Sequence, residues 1–155
     1  MSRAIAWILA FTLLPTPGCL SNGEIDEFYG EDINPPIAEN EFVLIDDNGE
    51  YVSMSQFEGQ VVVGASQFTR CPDICPVVSA NLAFVAKELG DLHGTSVQII
   101  TLTVAPWTDN SSVLGNYADV RGLSWPHLTG SYDDLAPVWM NFDLRLEAYK
   151  DDVDS

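Results

Sequence analysis

Two cysteines stand four positions apart in the stretch FTRCPDICPVVSANL, residues 68–82, and each is followed by a proline: Cys71–Pro72 and Cys75–Pro76. A thiol pair at this spacing admits three chemistries. The sulfurs can close a disulfide, exchange electrons with another thiol pair, or converge on one soft metal ion. On a helix, residues four apart share a face at roughly 6 Å between Cα atoms, near the upper part of the range a disulfide tolerates. A purely structural disulfide here would close only a few residues and constrain the unfolded chain little. Two thiolates suit Cu(I) with little else, whereas Cu(II) or zinc would need nitrogen or oxygen donors as well.

The flanking sequence predicts what positions the pair. Residues 61–68, VVVGASQF, form a β-branched apolar run expected to be a buried strand. After the cysteines, Val78, Leu82, Val85, Ala86 and Leu89 recur at helical spacing, and Gly90 and Gly94 bracket the end. The cysteines therefore fall between a strand end and a helix start. Unpaired N–H groups there favour a thiolate. Pro72 and Pro76 suit a first turn, and Asp73 suits a helix-start acid rather than a ligand. Arg70 either favours the thiolate further or is an exposed loop arginine. A second strand is predicted over 95–104, a shorter helix over 109–122, and a third over 134–149, weakened by Pro137. In front, EFVLID and YVSMSQF flank the turn signal DNGE and predict a hairpin. Strands alternating with helices predict an α/β domain with parallel pairing.

The chain has 155 residues, enough for one domain with a core. Its net charge is −17, which repels phosphate backbones and argues against nucleic acid as a partner. Ten acids and no Lys or Arg lie between residues 24 and 50. They read as a solvated linker and entry loop or, more sharply, as a docking surface for a cationic partner. Residues 1–18 carry Arg3 and an apolar run of signal-peptide length, too short to span a bilayer comfortably. The run ends in PTPGC, which resembles a bacterial-type lipobox and makes Cys19 the expected lipidation site. Conventional cleavage and an uncleaved anchor are the alternatives, and all three place the domain outside the cytoplasm. Residues 19–40 read as an acidic tether. With Cys19 lipidated, Cys71 and Cys75 remain as a pair in a compartment that permits a disulfide.

The stretch VVVGASQFTRCPDICPVVSANLAFVAKEL resembles the core of the Sco/SenC family of copper chaperones, whose motif is C-P-x-x-C-P after a strand. QIITLTVAP and WPHLTGSYDDLAPV are similar to further family segments, so the resemblance runs over about residues 42–149. It implies a thioredoxin-like fold and a membrane-anchored protein that delivers copper to a respiratory cytochrome oxidase. It makes Cys71 and Cys75 the metal ligands and redox pair, served by a thiol reductant. It also implies a third ligand, a histidine in a DHS-like motif. Neither histidine of this chain matches that motif: His93 reads as a surface residue near a helix end, and His127 as structural or surface. Ala105 replaces an acid usual in the family. A thioredoxin-like fold needs an antiparallel hairpin and a closing helix after residue 149, so the domain at 41–155 is expected to be incomplete, with apolar faces and a sheet edge left open. The rival reading is an extracytoplasmic thiol–disulfide oxidoreductase using the same pair without metal. A peroxidase, needing one attacking thiolate, is a weaker third.

Overall fold

The structure, a computed structural model, describes residues 41–142 and Leu144. The expected signal peptide over 1–18, Cys19, the tether over 19–40 and the end of the third predicted helix lie outside these residues.

The predicted hairpin is present. Strand β1 (Val43–Ile45) pairs antiparallel with β2 (Tyr51–Ser53). Asp46 builds the turn: its carboxyl accepts from the backbone N–H groups of Asn48 (2.9 Å) and Glu50 (2.8 Å). Gly49 supplies the positive φ of 85° that the turn requires.

Three parallel strands make the main sheet: β3 (Val61–Gln67), β4 (Val97–Thr103) and β5 (His127–Leu128), in the order β3-β4-β5. The hairpin joins the β5 side, because Ile45 and Thr129 exchange backbone hydrogen bonds of 2.8 and 2.7 Å. The central strand β4 alternates in function as well as in direction. Ile100 and Leu102 enter an apolar cluster with Phe42, Leu44, Leu128, Leu135 and Trp139. Thr101 and Thr103 point their buried hydroxyls to His127 and Asp109 instead.

Helix α1 (Ile74–Leu89) follows β3, α2 (Ser111–Arg121) follows β4, and α3 (Tyr132–Asn141) follows β5. Asn110 caps α2 through Val113 N–H, and Gly122 ends it with a φ of 65°. Ser131 and Asp134 form a capping box at the start of α3. Pro137 sits inside α3 without ending it. Leu135, Val138 and Trp139 of α3 are buried in the apolar cluster, and Trp139 Nε1–H donates to Thr103 O at 3.1 Å.

Among the described residues β3 pairs on one side only, with β4. An apolar groove of about 520 Å³ runs beside it, lined by Phe42, Val62, Ile100, Leu102, Trp139 and Leu144, among others. Val77, Phe84 and Val85 of α1 are exposed.

Candidate functional site

The two cysteines do not share a helical face. Helix α1 begins at Ile74, earlier than its apolar repeat predicts, and Asp73 is its N-cap. Cys75 therefore lies in the first turn, while Cys71 and Pro72 lie in the loop before the cap. Pro76 is in the first turn, as expected. The repeat predicts a buried stripe through Val78, Leu82 and Val85, yet the fully buried positions of α1 are Cys75 and Ser79. Ser79 reaches Gln67 of β3 and Tyr117 of α2 with its hydroxyl.

Asp73 caps nothing with its side chain. The sulfur of Cys71 takes that place, and Cys75 N–H donates to Cys71 Sγ at 3.3 Å. A helix start leaves its first N–H groups without intrahelical partners, and a thiolate is a suitable acceptor for them. Desolvation alone would raise the Cys71 thiol. It is outweighed by hydrogen bonds from the Cys75 thiol and from the backbone of Cys75, Asp73 and Ile74, so the Cys71 thiol lies below its ordinary value. Cys75 is the converse. Burial, and then the hydrogen bond to Cys71, push its thiol up to about 11. Both are free thiols, Cys71 half-buried and Cys75 buried.

A polar chain fixes the helix start to the sheet. Ser79, one turn beyond Cys75, donates to Gln67 Oε1 at 3.0 Å and contacts Tyr117 OH at 3.0 Å. Gln67 Nε2 lies 3.4 Å from His127 Nδ1, which also meets Thr101 Oγ at 2.7 Å. His127 is fully buried and stacks on Trp125, so it is structural and not a surface residue. Burial lowers its pKa, with Asp47 opposing. His93 is half-buried and bridges to Val97 beyond the far end of α1. No group of three or more His, Cys, Asp or Glu converges on a metal-sized space among the described residues. What the site offers is two adjacent sulfurs, which fit a soft monovalent ion and fall short of a zinc shell. Arg70 is exposed and, with Phe68, Ala105, Trp107 and Thr108, lines a small groove beside the cysteine loop.

The sequence singles out none of Gln67, Ser79, Thr103 or Asp109. Gln67 and the threonines of β4 carry a signal in retrospect, since each is polar inside an apolar strand run.

The family described as SCO1/SenC matches residues 31–155. The mitochondrial SCO2 homolog of Bos taurus is 30% identical over 119 residues, which are 76% of this chain and 45% of that protein. The chain thus spans under half the length of that relative. Among solved structures, apo Sco1 from Thermus thermophilus is similar with a TM-score of 0.65 and 31% identity, covering 78% of this chain and 69% of that one. Copper-bound ScoI from Bradyrhizobium japonicum has a TM-score of 0.63 and 25% identity, covering 67% and 66%. These likenesses bear out the thioredoxin-like α/β fold.

Proposed function

The chain belongs to the SCO1/SenC family, and on that premise we propose that it is a membrane-anchored copper-binding protein. It delivers Cu(I) to the copper site of a respiratory cytochrome oxidase at the extracytoplasmic face of the membrane. Cys71 and Cys75 hold the ion as thiolates. The observation that carries this reading is two free thiols side by side at the start of α1, where Cys75 N–H donates to Cys71 Sγ at 3.3 Å. A bound Cu(I) supplies the cationic charge that lets both sulfurs lose their protons, including the one on Cys75 that burial otherwise retains. Lipid on Cys19 provides the anchor. None of the described helices is long and apolar enough to cross a membrane. Oxidation of the pair to a disulfide removes both ligands, so a thiol reductant acts before loading.

The test is a competition titration of reduced and oxidised protein with Cu(I). The expected result is one equivalent bound by the reduced form and none by the oxidised form. Equal binding by both forms overturns the reading.

The asymmetry of the two thiols supports a second reading, an extracytoplasmic thiol–disulfide oxidoreductase. The Cys71 thiolate attacks a partner disulfide, breaking its S–S bond, forming a mixed disulfide and releasing one partner thiolate. Cys75, on losing its proton, then attacks Cys71 Sγ and expels the second partner thiolate. The pair ends oxidised and the partner reduced. Catalytic turnover by metal-free protein with a thiol reductant favours this reading over copper delivery.

A further inference from the structure

Asp109 is fully buried, and its carboxyl oxygens are the acceptors for donors from three separate segments. From the cysteine loop, Thr69 donates twice, through its backbone N–H to Oδ2 at 3.0 Å and its hydroxyl to Oδ1 at 2.6 Å. From the end of β4, Thr103 donates its hydroxyl to Oδ2 at 2.8 Å. From the loop that follows, Thr108 donates its hydroxyl to Oδ1 at 3.1 Å. The backbone of Asp109 is held as well: its N–H donates to Ala105 O at 3.0 Å, and its carbonyl accepts from Thr129 Oγ at 2.7 Å. A side chain fixed on both backbone sides and at both oxygens has almost no rotational freedom, and a satisfied buried polar cluster of this kind specifies one local geometry.

We infer that Asp109 is a positioning residue for the thiol site, acting through Thr69 to hold Cys71 where the first N–H groups of α1 reach its sulfur. Thr69 is two residues before Cys71, and the turn between them is closed by Cys71 N–H donating to Phe68 O at 3.3 Å. On the other side of that turn, Val104 N–H donates to Gln67 O at 3.1 Å. The cysteine loop is therefore tied at its start to the segment after β4, and Asp109 is the side-chain tie. The loop before a helix is otherwise the most easily displaced part of such a site. A displaced Cys71 loses hydrogen bonds that favour the reduced pair, and it no longer presents its sulfur beside Cys75. Asn at position 109 keeps the shape but carries an NH₂ group where an acceptor is needed, so at least one donor is left unpaired.

The role in copper binding rests on the function proposed above; the role in holding the thiol pair does not. The experiment compares Asp109→Asn, Thr69→Val and Thr69→Ser, each checked for a folded near-UV spectrum. Two quantities are read: the equilibrium of the metal-free pair with glutathione, and the competition affinity for Cu(I). Thr69→Val removes one donor and leaves the rest of the Asp109 cluster in place. Asp109→Asn and Thr69→Val are expected to move the pair toward the disulfide by about tenfold and to weaken Cu(I) by tenfold or more, in the range of about 10–100-fold seen for groups that orient metal ligands. Thr69→Ser keeps the hydroxyl and restores the parental values. A folded Thr69→Val protein with parental values for the glutathione equilibrium overturns the inference. If the parent binds no Cu(I) while the glutathione equilibrium still shifts in the variants, the copper reading fails and the positioning role stands.

Discussion

The backbone N–H of Cys75 donates to the sulfur of Cys71 at 3.3 Å, so the half-buried cysteine is the acceptor and the buried one is the donor residue. With the hydrogen bond from the Cys75 thiol, this contact favours negative charge on Cys71, while burial and the Cys75 thiol's own hydrogen bond to Cys71 keep the proton on Cys75.

Cys71 is therefore expected to be the more reactive thiol. Limited alkylation of the reduced, metal-free protein at pH 7 is expected to give a single adduct, at Cys71, with Cys75 modified at least tenfold more slowly. Peptide mass spectrometry after quenching reads the ratio. Equal labelling of both cysteines contradicts the assigned asymmetry.

Acid sensitivity follows from His127. Its folded pKa lies below the ordinary value near 6.5, chiefly because it is buried. Between the folded and unfolded values the unfolded chain binds the proton and the folded chain does not. Stability therefore falls as pH drops below about 6.5 and stops falling, for this group, once pH passes the lower folded value. Urea midpoints measured from pH 7.5 to 5 are expected to decline in the parent and to decline less in His127→Asn, which keeps an acceptor near Thr101. Parallel pH slopes in the two proteins rule out His127 as the source.

The apolar cluster is held together at β5. Leu128 is completely buried between β4, β1 and α3 residues. Leu128→Ala is expected to cost about 2–5 kcal/mol, the range for a buried leucine whose cavity collapses only partly. Ser131→Ala removes the capping box of α3 and is expected to cost about 1 kcal/mol. Denaturant unfolding measures both, and a loss under about 0.5 kcal/mol for Leu128→Ala would show that the cluster is not the core.

Much of this architecture was readable from local pattern. The runs at β3 and β4 are β-branched and apolar, and the turn chemistry at Asp46 to Gly49 fixes the hairpin. The two-residue strand β5 carries too little sequence to show a period. The start of α1 is legible from Asp73 and Pro76, residue types suited to a helix start, although the apolar repeat itself begins only at Val78. The thiol pair was legible because cysteine spacing is local. Its supports were not. Thr69 and Asp109 are 40 positions apart, and Gln67 and His127 are 60 apart. Asp109 stands directly before Asn110 and two serines, where an acid reads as a helix-start residue on the surface. Only tertiary structure reveals that it is buried and that its oxygens face the cysteine loop.

The most direct measurement is Cu(I) affinity of the reduced protein against its Cys71→Ser and Cys75→Ser variants, under one competing chelator and without oxygen. Hydroxyls are poor ligands for a soft ion, so each single variant is expected to lose at least a hundredfold in affinity while remaining folded. Full-affinity binding by either single variant contradicts a site built from both sulfurs.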